Sequence, residues 1–166
     1  MKKVILTIII ALSVIMSISA HDFSVNGIYY NILSGEDLTC EVTFRGYTCN
    51  EYDEYIGHFS IPEQVTYNSK VYNVVAIGNQ AFHGNYGLTS ISIPNTIKTI
   101  GTNALSCTYL KSVTIPESVT SVGEYAFVEC DNLTTVYFNA IDCPKMGSIN
   151  YTAFKGCDKL TNVYFG

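Results

Sequence analysis

Two adjacent stretches decide the fold: LTSISIPNTIKTIGTNALSCTY (88–109) and LKSVTIPESVTSVGEYAFVECDN (110–132). Laid over one another they match Leu88 with Leu110, Ile91 with Val113, Ile93 with Ile115, Pro94 with Pro116, Ile97 with Val119, Ile100 with Val122, Gly101 with Gly123, and Ala104-Leu105 with Ala126-Phe127. The frame continues as LTTVYFNAIDCPKMGSINYTAFKGCDK (133–159) and LTNVYFG (160–166). An irregular copy, FSIPEQVTYNSKVYNVVAIGNQAFHGNYG (59–87), precedes them. So many positions in register at a spacing of 22 to 27 residues mark an internal repeat.

Each repeated position has a physical reading. Period-2 alternation in Ile91/Ile93, Val113/Ile115, Val136/Phe138 and Val163/Phe165 predicts short strands with one face inward. Pro94 and Pro116 end two of them, because proline has no N–H for a ladder. Ile97/Ile100 and Val119/Val122 return a second short segment to the same core. Gly78, Gly101 and Gly123 fall where the chain turns, which predicts a positive φ. The Ala-Phe or Ala-Leu pair reads as the small-plus-large plug of a tight helical turn. One such unit carries too little apolar surface to fold alone, so neighbours must cover one another's faces, as in a solenoid. The copy 133–159 departs from the pattern: it lacks the strand-ending proline and carries an insertion, NAIDCPKMGSIN.

LxxIxIP strands at this spacing, followed by an IGxxAFxxC turn, resemble the BspA-like class of leucine-rich repeat proteins of bacterial cell surfaces. The resemblance implies a β-rich repeat solenoid with short helical turns and a short parallel sheet. It divides the chain into a capping region at 21–58 and repeats at 59–166. It also implies a Tyr-rich hairpin that closes the open end of the first repeat, here pairing Val65–Tyr67 with Val71–Asn73 around Asn68-Ser69.

Met1–Ala20, MKKVILTIIIALSVIMSISA, has a basic start, an apolar run and small closing residues, which predicts a secretory signal peptide. The run from Val4 to Ile18 falls short of the ~20 residues that cross a bilayer. The expected product is secreted or held at the cell surface, with no membrane span after signal removal. The 166 residues carry nine Lys/Arg against fourteen Asp/Glu, a net charge of −5, which disfavours binding to nucleic acid. Aromatic content of 13% excludes disorder.

Six cysteines lie beyond the signal. Cys107, Cys130 and Cys157 align by eye at one repeat position, which predicts a column with neighbours about 5 Å apart. That distance permits a disulfide, but parallel side chains seldom supply the dihedral. Buried thiols acting as apolar plugs are the favoured reading, with a disulfide or a metal site as alternatives. Cys40 and Cys49 flank EVTFRGYT, a candidate hairpin turning near Arg45-Gly46, and a bridge there or two thiols both remain open. Cys143 falls in the insertion and reads as free. His21 would be the new N-terminus after cleavage. A terminal His with a second His is a copper-enzyme signature, but nothing else here resembles that fold, so it reads as a solvated end. His58 and His83 read as isolated surface residues. Glu51, Asp53 and Glu54 read as a solvated loop. Asn132-Leu-Thr134 and Asn150-Tyr-Thr152 match the N-glycosylation pattern.

No catalytic or cofactor motif is found, so neither an enzyme nor a cofactor is expected. The strand alternation predicts one outward surface built from Ser90, Ser92, Ser112, Thr114, Thr135, Tyr137, Asn162 and Tyr164. Small hydroxyls and tyrosines suit adaptable contact with proteins or glycans. The expected role is non-catalytic adhesion or recognition, and the resemblance implies partners on host or neighbouring cells. The alternative is a truncated repeat fragment without a ligand. Val163 and Phe165, at the last strand, are expected to be uncovered and to permit self-association.

Overall fold

The computed structural model describes residues 21–45 and 55–166. The expected signal at 1–20, and Cys49, Glu51, Asp53 and Glu54, lie outside the described residues. The chain runs β1 (Phe23–Val25), β2 (Ile28–Ser34), β3 (Thr39–Thr43), β4 (Gly57–Ser60), β5 (Gln64–Tyr67), β6 (Lys70–Ile77), β7 (Leu88–Ser92), β8 (Thr99–Ile100), β9 (Ser112–Ile115), β10 (Ser121–Val122), β11 (Thr135–Phe138), β12 (Lys145–Met146) and β13 (Asn162–Phe165).

Two walls of strands enclose the core, parallel from coil to coil and antiparallel only where β1, β2 and β5 join the first of them. One is a sheet in the order β1-β2-β3-β6-β8-β10-β12, with β5 pairing β6. The other is formed by β4-β7 and by β9-β11-β13. Equivalent residues face each other across the coils: Val113, Val136 and Val163 share one register row, as do Ile77, Ile100, Val122 and Met146. Leu88, Leu110 and Leu133 are fully buried, so the repeated leucines lie in the core as a solenoid requires. At 25 cal/mol per Å², burial of one such side chain contributes roughly 2 kcal/mol. Pro94 and Pro116 follow β7 and β9, and their carbonyls accept from Ile97 and Val119 at 3.1 Å, turning the chain toward the second wall.

The third side of each coil is a corner rather than a helix, and the described residues contain no helix. Its backbone bonds alternate. His83 N–H donates to Gln80 O three residues back, while Phe82 N–H crosses to Ala104 O on the next coil at 2.8 Å. Leu105 N–H to Ala126 O and Phe127 N–H to Ala153 O repeat the crossing at 2.8 Å. Every second residue thus serves the ladder between coils, which a continuous α-helix would forbid. The plugs Ala81-Phe82, Ala104-Leu105 and Ala126-Phe127 are buried as predicted; in the last, Ala153 is buried and Phe154 half-buried, with Phe127 stacked on it at 4.8 Å and 5°.

The repeated glycines have a different cause from the one read in the sequence. Gly78, Gly101 and Gly123 do not have positive φ; Gln80, Asn103 and Tyr125, two residues on, do, at 59°, 53° and 57°. The glycines are small because coils stack there: Gly101 N–H donates to Ile77 O and Gly123 N–H to Ile100 O, both at 2.8 Å. A Cβ on Gly123 would lie 2.6 Å from the Gly101 carbonyl carbon.

The insertion is smaller than the sequence suggests. Lys145 and Met146 pair with Ser121 and Val122, and Gly147 N–H donates to Val122 O at 2.8 Å, as its counterparts do one coil earlier. NAIDCPKMG therefore keeps the repeat path, and the excess is concentrated around Ser148–Asn150, where Ile149 is exposed.

The capping region joins the array by backbone pairing. β3 runs parallel to β6, with Cys40 opposite Val74 and Val42 opposite Ile77, so it occupies the place of a preceding coil's strand. The hairpin forms around Asn68-Ser69, but one residue out of the implied register: Val65 lies opposite Tyr72, Thr66 opposite Val71 and Tyr67 opposite Lys70, because a two-residue loop makes its two flanking residues partners, and Asn73 pairs with Gln64. Asn68 and Ser69 both take positive φ (48° and 60°), the two-residue loop that matches strand twist. Tyr55 ties cap to coil: its hydroxyl donates to Thr43 O at 3.2 Å, and its ring packs on Phe59 and Phe82.

Candidate functional site

The outward positions of the strand wall form two rows. His58 pairs with Ser90, and Ser112, Thr135 and Asn162 stand in register across β9, β11 and β13. The second row is Ser60 and Ser92, then Thr114, Tyr137 and Tyr164. All the predicted face residues are exposed except Thr135, which is half-buried. Tyr137 and Tyr164 stack at 5.3 Å and 15° while remaining 43% and 54% exposed. Such a pair offers a flat, rigid apolar surface edged by two hydroxyls, at little entropic cost on binding.

The face is not the continuous sheet the alternation predicts. β7 and β9 are neighbours, yet no backbone ladder joins them. The break falls at the corner that is one residue shorter than its counterparts: Leu105 to Leu110 spans five positions, whereas Phe82 to Leu88 and Phe127 to Leu133 span six. It separates a His/Ser half from a Thr/Tyr half. His58, read as isolated, belongs to this surface, with Nδ1 2.9 Å from Ser90 Oγ. Its place in the row follows from the irregular pairing of β4, which periodicity alone did not reveal.

The shorter corner also breaks the predicted cysteine column. Counting from Ala, the column is Asn85, Thr108 and Cys130, all buried, and the half-buried Cys157, and Thr108 Oγ1 lies 3.4 Å from Cys130 Sγ. Cys107 falls one position earlier, at a positive φ of 55° shared with Glu129, and its Sγ lies 3.8 Å from Glu129 Oε2. Burial first, and Glu129 next, push the Cys107 thiol up to about 11. Asn85 reaches the cap, its Oδ1 accepting from Tyr55 N–H at 3.2 Å.

Other candidates resolve differently. Cys40 is a buried free thiol, pushed up to about 12 by burial, and its proposed partner Cys49 lies outside the described residues. Cys143 is free, donating to Lys145 O at 3.3 Å. His83 is half-buried, not a surface residue, and bonds Ser106 Oγ; burial lowers its pKa. His21 is held rather than frayed, its ring against Tyr29 and Nδ1 3.1 Å from Arg45 O. No group of three or more potential metal ligands occurs among the described residues.

Three concavities flank these features. A 340 Å³ groove between cap and array is lined by Asn26, Tyr30, Ser60, Pro62 and Gln64 among others. A 240 Å³ cleft is bounded by Tyr86, Tyr109, Cys107, Glu129 and Asp131, with the two rings edge to face at 5.6 Å. The sequence carried a signal for it that went unread, a tyrosine just before Leu88 and Leu110. The third, 200 Å³ and wholly apolar, opens at the last coil between Phe138, Met146, Phe154, Val163 and Phe165, with Phe165 75% exposed.

A family model described as "BspA type Leucine rich repeat region (6 copies)" matches residues 54–166. No curated protein matches the chain. A leucine-rich repeat protein from Bacteroides capillosus has a similar structure, at TM-score 0.68 and 23% identity, over 87% of this chain and 97% of that one. A leucine rich cell surface protein from Faecalibacterium prausnitzii is similar at TM-score 0.61 and 26% identity, over 87% of this chain but only 42% of that one. The T. pallidum leucine rich repeat protein shares the fold at TM-score 0.56 and 14% identity, over 86% and 81%. The chain belongs to the BspA-type leucine-rich repeat family.

Proposed function

We propose that this protein is an exported, non-catalytic recognition module that binds proteins or glycans of host or neighbouring cells through the outward face of its strand wall. The observation that carries this reading is the stacked pair Tyr137–Tyr164, exposed and held in register by the β11–β13 ladder. Core packing does not need these rings on the outward side, so their cost in exposed apolar surface calls for another explanation. A partner surface supplies one. Export is supported by the character of Met1–Ala20 and by the cell-surface relative from Faecalibacterium prausnitzii.

The test uses the mature chain against immobilised mucin, matrix glycoproteins and a glycan array. Binding to at least one, weakened tenfold or more by joint Tyr137→Ala and Tyr164→Ala substitution with an unchanged circular dichroism spectrum, supports the reading. Binding that survives the double substitution removes this face as the site.

A further inference from the structure

The polar column inside the corners brings two thiols together at one place. Phe127 N–H to Ala153 O at 2.8 Å and Glu129 N–H to Lys155 O at 2.9 Å clamp coil 110–132 to coil 133–159 up to the residue before Cys130. Cys130 is fully buried and Cys157 half-buried. Each thiol leans toward the preceding coil: Cys130 Sγ donates to Leu105 O at 3.2 Å, and Cys157 Sγ donates to Phe127 O at 3.0 Å. Cys157 holds, one coil on, the place that Cys130 holds over Thr108, whose Oγ1 lies 3.4 Å from Cys130 Sγ. On its other side Cys130 meets the Thr108 hydroxyl, which cannot form a disulfide. Cys107 is out of the column beside Glu129, and Cys143 is turned to Lys145 O.

We propose that Cys130 and Cys157 are an oxidisable pair whose disulfide rivets coil 133–159 onto coil 110–132. Backbones at ladder spacing, about 5 Å, lie inside the Cα range that a disulfide spans. The oxidant is a disulfide, RSSR, either a small molecule or the active-site bond of a dithiol oxidase. Cys157, the more accessible thiol, loses its proton and attacks first, forming Cys157–S–S–R and releasing RS⁻; the neighbouring Cys130 and burial hold its pKa up, so this step quickens as pH rises. Cys130 thiolate then attacks the Cys157 sulfur, forming Cys130–S–S–Cys157 and expelling the second RS⁻. The two thiol protons end on two RSH, and the oxidant gains the two electrons.

The reduced full chain is incubated with oxidised glutathione, capped with iodoacetamide, digested without reductant and analysed by mass spectrometry. A cross-linked peptide pair containing Cys130 and Cys157, lighter by two hydrogens, is the expected result. It should come with a rise in Tm of about 5–10 °C that dithiothreitol reverses, from closure of the intervening loop. Cys107→Ser should keep the rise and Cys157→Ser should lose it. Carbamidomethylated Cys130 and Cys157 after oxidation, or pairing of either with another cysteine, overturns the proposal. The peptide map of the unmodified chain decides the matter even where a variant fails to fold.

Discussion

Gly123 stacks directly on Gly101: a Cβ on Gly123 would meet the Gly101 carbonyl carbon at 2.6 Å and Thr102 N at 2.6 Å. Both neighbours are backbone, so no side chain can swing aside to make room. Gly123→Ala should therefore destabilise the protein by about 1–3 kcal/mol, as overpacking does. Gly35, with open space where its Cβ would be, is the control. Gly35→Ala should be neutral or slightly stabilising. Urea denaturation of both variants reads the difference directly.

At the hairpin tip the backbone asks for glycine where the chain has serine. Ser69 sits at φ 60°, and a left-handed conformation costs an ordinary residue roughly 1–2 kcal/mol. Ser69→Gly should raise stability by about 0.5–1 kcal/mol, part of the relief being offset by the greater freedom of the unfolded glycine. An unchanged or lowered Tm would argue against this tip geometry.

Tyr55 is the polar link between cap and array. Its hydroxyl donates to Thr43 O and lies 3.4 Å from Tyr29 N–H. Tyr55→Phe keeps the ring packing against Phe59 and Phe82 but deprives buried backbone groups of a partner. The expected cost is about 1–3 kcal/mol. Hydrogen exchange should show the loss as faster opening in β2 and β3 than in β9 and β11.

Acid should weaken the protein in part through His83. Burial lowers its folded pKa below the ordinary 6.5, with Glu129 opposing. The unfolded chain then binds the proton more readily, so stability rises with pH across this window and falls as pH drops from about 7 through the folded pKa. His83→Gln should lose less stability than the unmodified chain between pH 7.5 and 5.5. Parallel Tm curves for the two would remove His83 as a contributor.

The period, the buried leucines and the outward row from Ser112 to Tyr164 were legible in residue order, because the strand alternation and the coil spacing are local patterns that burial imposes on any solenoid. Three things were not. The glycine column looked like a demand on φ, yet the demand is space, and only the neighbouring coil shows that. Cys107 looked like the fellow of Cys130 because both stand three residues before the next repeat leucine, a count that hides the missing corner residue which counting forward from Ala104 and Ala126 reveals. His58 looked isolated because its partner Ser90 is 32 residues away.

Residue order by itself determined that equivalent side chains would recur on one face and that no single coil could stand alone. Only the tertiary structure decided which atoms of adjacent coils touch: which thiol meets a thiol and which a hydroxyl, and where the strand wall is interrupted. The reason is geometric. Register between coils is set by hydrogen bonds spanning 20 or more residues, and one residue gained or lost at a corner shifts those partners without altering the apolar pattern that announces the fold.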